Sequence, residues 1–312
     1  MLALTFPGQG SQAVGMGRAI ADAYPEAKAV FDEVDEALGE KLSSVIFDGP
    51  DDALTLTTNA QPALMAGSLA VLRAMEAEGC QGTRASYVAG HSLGEYSALA
   101  AAHALTIADT ARLLRIRGEA MQAAVPVGKG AMAAIIGLEQ DVVEKACADA
   151  SETDDEVQIA NDNGGGQLVI SGHAGAVERA MEACKDAGAK RALPLPVSAP
   201  FHSTLMAPAA ERMKEALEAV EIKPTIVPLV CNVLADPISH PDDIRKNLVT
   251  QVTGRVRWAE SVAFMGQEGV NRIWEIGSGK VLTGLARRID RSMEGSAIGA
   301  PDNIPAALAQ LG

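Results

Sequence analysis

The chain has 312 residues, of which 48% are hydrophobic and 21% charged, so it can bury a large core and form two domains or one domain with an insertion. Acidic residues outnumber basic ones by 40 to 26, and this net charge of -14 argues against nucleic-acid binding through bulk charge. The four cysteines include no Cys-x-x-Cys pair, which indicates free thiols in a reducing cytoplasm rather than zinc ligands or disulfides. Because no apolar run approaches about 18 residues and no basic segment opens the chain, we expect neither a membrane span nor a secretion signal.

The first predicted element is a buried strand over residues 2–6, which ends in a glycine-rich loop over residues 7–12. The glycine spacing of this loop resembles a dinucleotide fingerprint, but that motif needs a second strand ending in an acidic residue about 20 residues later. Residues 18–38 instead have the pattern of an amphipathic helix. We therefore predict that the loop brings a backbone amide, such as that of Gln9, close to Ser92, since the first strand can run beside the strand that precedes Ser92.

Two helices are predicted on either side of the central part of the chain. Residues 54–62 predict a polar connection into a helix over residues 63–78, and residues 79–84 predict a loop. Farther on, the capping box of Thr106 and Asp109 predicts the start of a helix that continues to about residue 124.

The central motif is Gly90-His91-Ser92-Leu93-Gly94. It follows a predicted buried strand and opens a predicted helix of small residues, and in that context Gly-x-Ser-x-Gly forms a nucleophile elbow. Glycines on both sides let the backbone bend tightly and project the serine hydroxyl. The Leu93 amide and the helix N-terminus would then face negative charge that develops beside Ser92. We predict an activated Ser92; the alternative is a plain tight turn of small residues.

Arg117 carries the most informative charge of the sequence. It lies on the apolar stripe of its helix, four residues after Leu113, whereas Arg115 can pair with Glu119 on a solvated face. An arginine on an apolar stripe must find an anion or remain a costly unpaired charge. Its partner is either an internal Asp or Glu or the carboxylate of a substrate, held by the guanidinium fork.

Residues 128–197 have a pattern of their own. Strands are predicted over 132–138, 158–161, 167–171 and 191–195, and helices over 139–150 and 174–187. This βαββαβ order is the ferredoxin-like unit, and we predict a small domain inserted into a larger one formed by residues 1–127 and 198–312. Residues 161–166 predict a hairpin loop, since the alternative, a phosphate cradle, lacks a lysine and a following helix.

His202 follows the predicted insertion. Ser203 is predicted to cap a helix to about residue 220, so that the helix dipole disfavours imidazolium and leaves the ring of His202 able to accept a proton. His91 adjoins Ser92 but is expected to point away, and the other histidines end a helix or lie in turns. A lone histidine before a helix is often structural, but beside a nucleophile elbow we predict a base.

The last part of the chain predicts a strand over 226–230, a helix over 242–249 and a strand over 271–276. Arg255 and Arg257 alternate with Val256, so one face of this segment is basic. Residues 277–280 contain Gly-Lys but lack the first glycine and the Ser or Thr of a phosphate-binding loop.

Four motifs occur in order along the chain: Phe6-Pro7-Gly8-Gln9-Gly10-Ser11-Gln12, Gly90-His91-Ser92-Leu93-Gly94-Glu95-Tyr96-Ser97, Arg117-Gly118, and Pro200-Phe201-His202-Ser203. With them the chain resembles the malonyl-CoA:acyl-carrier-protein transacylases of fatty acid synthesis over nearly its whole length. The resemblance implies an α/β-hydrolase-like large domain with an inserted ferredoxin-like domain, in agreement with the predicted elements. Residues 161–167 and 275–279 depart from the family pattern, which affects loop stiffness more than chemistry.

Residue by residue, the resemblance implies that Ser92 is the nucleophile and His202 the general base. The amides of Gln9 and Leu93 would form the oxyanion hole, and Arg117 would bind the malonyl carboxylate.

Two further roles rest on the resemblance alone. A backbone carbonyl of Gln251 would orient His202, in place of the acid of a full Ser-His-Asp triad. Phe201 would line the acyl pocket, and together with Leu93 it resembles the malonyl rather than the methylmalonyl pattern.

The implied reaction is a ping-pong transfer of malonyl from coenzyme A, through malonyl-Ser92, to the phosphopantetheine thiol of acyl carrier protein. It needs no metal and no bound cofactor, because malonyl-CoA is a substrate and the carrier supplies the phosphopantetheine. We expect a cytoplasmic monomer that binds neither nucleic acid nor membrane.

The carrier protein is expected to be acidic, so it would dock on a local basic patch, with Lys190, Arg191, Arg255 and Arg257 as candidates. Two alternatives stay open: a serine esterase or thioesterase on the same elbow, and a catalytically silent partner domain of a synthase assembly.

Overall fold

The structure is a computed structural model and describes residues 1–80, 84–197 and 199–311. Residues 81–83 of the predicted loop, and Ser198 at the predicted domain boundary, lie outside these ranges. The strands of the described part are β1 (Leu2–Phe6), β2 (Tyr87–Gly90), β3 (Gly130–Ile136), β4 (Val157–Asp162), β5 (Gln167–His173), β6 (Arg191–Pro194), β7 (Leu229–Val230), β8 (Pro237–Ile238), β9 (Val256–Arg257), β10 (Arg272–Ile276) and β11 (Glu294–Ile298). The helices are α1 (Arg18–Ala23), α2 (Pro25–Leu38), α3 (Leu42–Asp48), α4 (Asp51–Thr55), α5 (Thr57–Ala77), α6 (Gly94–Ala101), α7 (Ile107–Ala123), α8 (Gln140–Ala150), α9 (Ala174–Asp186), α10 (Ala207–Glu218), α11 (Pro241–Thr253), α12 (Trp258–Gln267), α13 (Val281–Ile289) and α14 (Asn303–Leu308). Short 3-10 helices cover Thr204–Met206 and Ala309–Leu311.

The larger sheet has the strand order β11-β10-β1-β2-β7-β8, and all of its pairs are parallel except β7 with β8. Every residue of β1 is buried. Leu4 belongs to the main core on one face of the sheet, while Ala3 belongs to a second core on the other face. Helices on both sides of a parallel sheet bury both of its faces. This explains the unbroken apolar run at the start of the chain.

The smaller sheet has the strand order β6-β3-β5-β4-β9. Its first four strands are antiparallel, and α8 and α9 cover one face through a core that includes Ile135 and Ile170. The predicted βαββαβ order is therefore present. β9 adds a parallel strand to β4, so residues after 198 also contribute to this sheet.

Two predicted helices differ from those observed. The helix predicted over residues 18–38 is broken at Tyr24, because Pro25 opens α2 at its first position and the residue before it is extended, with a φ of -130°. The prediction that α5 starts near residue 63 was wrong, since it starts at Thr57 and contains Pro62. Extensive burial of α5 outweighs the one intrahelical hydrogen bond that Pro62 cannot donate.

Several other features can be stated for the described residues. All four cysteines are buried and free. No helix in the ranges given above combines the length and the apolar character needed to cross a bilayer.

Candidate active site

Ser92 lies at the sharp turn between β2 and α6, at the carboxyl edge of the larger sheet. Its φ of 55° is in the left-handed region, a conformation that costs a non-glycine residue about 1–3 kcal/mol and persists only where neighbours hold it. Here the Ser92 amide donates to Asn232 Oδ1 at 2.8 Å, and the Ser92 carbonyl accepts from Gln251 Nε2 at 2.9 Å. The elbow conformation is thus fixed from both sides of the serine.

The glycines of the elbow are required by close backbone contacts. A Cβ at Gly90 would lie 1.9 Å from the carbonyl oxygen of Gly94, and a Cβ at Gly94 would lie 2.2 Å from that of Phe6. A Cβ at Gly8 would lie 2.7 Å from the carbonyl oxygen of His91. The loop after β1 therefore packs directly against the elbow, as the sequence predicted from β1 lying beside β2.

The two predicted oxyanion donors flank this contact. Gln9 follows Gly8 in the loop after β1, and Leu93 immediately precedes α6. Gln9 is held by its side chain, which donates to Thr57 Oγ1 at 3.3 Å. Neither backbone amide donates a hydrogen bond to another residue in the described part of the chain. Both amides therefore have their N–H groups free for an oxyanion.

His202 is buried, with 3% of its surface exposed, and its Nε2 lies 2.7 Å from Ser92 Oγ. Nδ1 lies 2.8 Å from the Gln251 carbonyl oxygen, the contact that the resemblance implies. Because a carbonyl can only accept, Nδ1 must carry the ring proton, which leaves Nε2 to accept from the serine hydroxyl.

The His202 ring is neutral for reasons other than those predicted. Burial, and then the positive charge of Arg117, lower the pKa of His202 to about 3. The predicted helix cap was wrong: Ser203 donates to the Pro200 carbonyl at 2.7 Å, and only a 3-10 turn separates it from α10. Desolvation and the charge of Arg117 therefore keep the imidazole a proton acceptor.

Arg117 is also buried, with 1% of its surface exposed. Its Nη1 donates to Gln61 Oε1 at 2.8 Å and its Nη2 to Gln251 Oε1 at 2.8 Å. Nη2 also lies 3.1 Å from Ser92 Oγ. Among the described residues no Asp or Glu forms an ion pair with it, so neutral amides hold this cation beside the nucleophile.

The environment of Arg117 contrasts with that of its neighbour on the helix. The guanidinium lies over the Tyr96 ring, 5.7 Å from the centroid, and burial lowers its pKa. Arg115 pairs with Glu40 rather than with the predicted Glu119. Arg115 is half-buried and forms an ion pair with the exposed Glu40, whereas Arg117 has only neutral hydrogen-bond partners in the described structure.

Two residues behind the elbow were missed by the sequence analysis. Glu95 is fully buried, accepts from Gln251 Nε2 at 2.6 Å, and has its pKa raised by burial to about 7. Asn232 donates to the Gly90 carbonyl at 2.7 Å and accepts from the Ser92 amide. A carboxylate in the first turn of the otherwise apolar α6, and an asparagine just after β7, were the available signals.

Gln61 is the third residue that was missed, because the predicted start of α5 was too late in the chain. Its segment was assigned to a polar connection, whereas in the helix Gln61 is 1% exposed and its amide oxygen meets Arg117.

Phe201 and the basic candidates lie around the smaller sheet. Phe201 is half-buried and packs against the cluster of Met132, Ala160 and Val169 as well as the main core. It therefore lies where the two sheets meet, next to His202.

The four basic residues do not form one surface. Lys190 and Arg191 are exposed at the β6 edge, and Arg255 and Arg257 lie at the β9 edge, four strand spacings or roughly 19 Å away. Arg255 pairs with Glu144 at 2.7 Å, and Arg257 pairs with Glu260. In the described structure only the β6 pair is exposed without an ion pair.

A serine hydrogen-bonded to a buried imidazole, at the carboxyl edge of a parallel sheet, is the arrangement of serine acyl-transfer enzymes. Residues 4–274 match the family described as the acyl transferase domain. Malonyl CoA-acyl carrier protein transacylase from Bacillus subtilis (strain 168) is 48% identical over 310 residues, which cover 99% of this chain and 97% of that protein. The chain therefore belongs to the acyl transferase family, among the malonyl CoA-acyl carrier protein transacylases.

Solved structures agree with this assignment. The acyl-carrier-protein-S-malonyltransferase from Bartonella henselae superposes with a TM-score of 0.97 at 58% identity, over 99% of each chain. A malonyl-transacylase in complex with a type II PKS acyl-carrier protein gives a TM-score of 0.96 at 42% identity, again over 99% of each chain. The predicted α/β fold with its small second domain is thereby confirmed.

Proposed function

We propose that this chain transfers a malonyl group from coenzyme A to the phosphopantetheine thiol of acyl carrier protein. The observation that carries the proposal is a single cluster: Ser92 Oγ lies 2.7 Å from the neutral imidazole of His202 and 3.1 Å from the buried guanidinium of Arg117. Arg117 feels the charge of the buried Glu95 but forms no direct ion pair in the described structure. A nucleophile, a base and a cation without a contacting carboxylate match a thioester that carries a free carboxylate at its far end.

In the first half-reaction His202 Nε2 accepts the proton of Ser92 as Oγ attacks the thioester carbonyl. The oxygen of the tetrahedral intermediate accepts from the amides of Gln9 and Leu93, and each such donor is worth roughly 2.7–4 kcal/mol of barrier. The C–S bond then breaks, and His202 returns the proton to the sulfur, so that coenzyme A leaves as the thiol. Gln251 holds the imidazole through its carbonyl, so the ring keeps one orientation while it exchanges protons.

In the second half-reaction the carrier's thiol gives its proton to His202 and attacks the carbonyl of malonyl-Ser92. The C–O bond breaks, and Ser92 recovers its proton from His202. The site is then unchanged, and malonate is bound to the carrier as a thioester.

Arg117 links substrate recognition to the strength of the base. Its charge is one of the two main causes that lower the pKa of His202. A malonyl carboxylate bound to the guanidinium neutralises that charge, so the pKa of His202 rises when the correct acyl group is present. The base therefore becomes stronger at the moment that the thioester is in place.

The proposal also covers where the carrier docks and how the chain divides into domains. We assign docking to the exposed Lys190 and Arg191 at the β6 edge, and we keep residues 128–197 as the inserted domain. A monomer in the cytoplasm remains our expectation.

The test is coenzyme A release from malonyl-CoA, followed over time with and without acyl carrier protein. Transfer predicts one burst equal to the enzyme concentration without carrier, and continuous release once carrier is added. Steady release without carrier would instead indicate the thioesterase, in which water takes the place of the second thiol.

A further inference from the structure

The strand β4 lies between the smaller sheet's own core and the loop that carries His202. Val157 and Ile159 are buried in the core beneath α8 and α9. Because successive side chains of a strand point to opposite faces, Gln158 between them points away from that core. It is half-buried, and its hydrogen-bond partners belong to the larger domain.

The Gln158 amide makes three hydrogen bonds, all to the backbone on the other side of this junction. Nε2 donates to the His202 carbonyl at 3.1 Å and to the Thr253 carbonyl at 3.1 Å. Oε1 accepts from the Thr204 amide at 3.2 Å. The Gln158 side chain therefore uses both N–H groups and its oxygen to bond two separate backbone segments.

These two segments are the ones that determine where the imidazole lies. His202 has a φ of 56°, a left-handed conformation that needs support from its neighbours. Thr253 ends α11, two residues after Gln251, whose carbonyl accepts from His202 Nδ1. One amide thus joins the backbone that carries the ring to the helix end that orients it.

We propose that Gln158 is a positioning residue for His202, through which the inserted domain sets the geometry of the base. The inference rests on the proposed function, since it assumes that His202 is the base for Ser92. Gln158 makes no hydrogen bond to Ser92, Arg117 or Gln251, so its role is to place the imidazole and not to bind the acyl group.

The test compares Q158M, which keeps the length of the side chain and removes its hydrogen bonds, with wild type and with the control Q140M. Gln140 opens α8, is half-buried like Gln158, and its side chain bonds only to Glu144 among the described residues. Acylation of Ser92 by malonyl-CoA is followed in single turnovers by intact mass, at several substrate concentrations and pH values.

We expect the maximal acylation rate of Q158M to fall roughly 10- to 100-fold, because displacement of a catalytic group by about 1 Å costs a factor of that size. The substrate concentration for half-maximal rate stays within about twofold of wild type, since Arg117 is untouched. The acid limb of the pH profile moves to higher pH, because a looser loop admits water to the ring and its pKa returns toward the ordinary value. The other charged or titratable groups around His202 do not differ between the variants, so they do not move the pH profile. They are Arg117 on α7, His91 on the elbow, and Glu156, which accepts from Thr204 at 3.1 Å.

A second variant separates positioning from general packing. Q158E keeps an acceptor for the Thr204 amide but turns carboxylate oxygens toward the two carbonyls. If the amide donor positions His202, the acylation rate of Q158E stays as low as that of Q158M. Should Q158M not fold, Q158N, which is one methylene shorter, is measured in the same way.

The inference would be overturned by a wild-type rate in Q158M, by a loss confined to the half-maximal substrate concentration, or by a wild-type rate in Q158E. A drop in rate with an unmoved pH profile and a lower melting temperature would also overturn it, in favour of a structural role. If wild type itself does not acylate at Ser92, the proposed function fails instead, and the two failures are thus distinguished.

Discussion

Replacement of Arg117 by alanine is the most informative perturbation of specificity. In the variant the malonyl carboxylate enters a pocket lined by Gln61, Gln251 and the Tyr96 ring, without the guanidinium that now lies 3.1 Å from Ser92 Oγ. Leaving one charge of such a pair buried and unpaired costs on the order of 2–5 kcal/mol. We therefore expect kcat/KM for malonyl-CoA to fall roughly 30-fold to several thousandfold, at about 1.4 kcal/mol per factor of ten.

Acetyl-CoA has no carboxylate, so it loses nothing from this change. It gains from the removal of a positive charge that lowers the pKa of His202. The assay is acylation of Ser92 with the two thioesters, reported as the ratio of their kcat/KM values. Arg115→Ala is the matched control, because Arg115 lies two positions away on α7 and pairs with Glu40. An equal loss with both thioesters would refute the specificity role of Arg117.

The remaining predictions concern the elbow, the base and the buried carboxylate. Gly94→Ala places a Cβ 2.2 Å from the Phe6 carbonyl, so we expect a loss of several kcal/mol in unfolding free energy, measured by urea titration, and a near-wild-type stability would contradict the contact. Because the pKa of His202 in the free enzyme is lowered to about 3, kcat/KM for acylation should stay flat as the pH falls from 7 to 5, whereas a midpoint near 6.5 would show an ordinary, solvated imidazole. Burial raises the pKa of Glu95 to about 7, whereas in the unfolded chain this carboxyl group titrates near pH 4.5. Between these pH values only the folded chain holds the proton, so the free energy of unfolding falls as the pH rises. Glu95→Gln should therefore gain stability relative to wild type, by up to about 3 kcal/mol, as the pH rises from 5 to 8, and a difference independent of pH would contradict the raised pKa.

The features predicted correctly from sequence were those that depend on interactions between nearby residues. Ser92 between two glycines, the Thr106 cap and the apolar run of β1 each depend on neighbours within a few residues. The βαββαβ order of residues 128–197 was likewise recognisable from strand and helix patterns alone.

What the sequence did not reveal depends on contacts between distant segments. Glu95, Asn232 and Gln61 are polar residues in segments assigned to helix, loop or connection, and only the folded chain brings them to Ser92 and Arg117. The placement of the basic candidates was hidden for the same reason: Arg191 and Arg257 lie at opposite edges of one sheet, a separation that the topology determines.

In the proposed reaction Ser92 carries the malonyl group between two thiols. Intact mass after mixing with malonyl-CoA tests it most directly, first without carrier and then after addition of acyl carrier protein, in wild type and in Ser92→Ala. We expect one malonyl adduct on wild type, none on Ser92→Ala, and complete transfer of the adduct to the carrier. A malonyl adduct on Ser92→Ala, or a wild-type protein that acylates the carrier without ever holding the adduct, would contradict it.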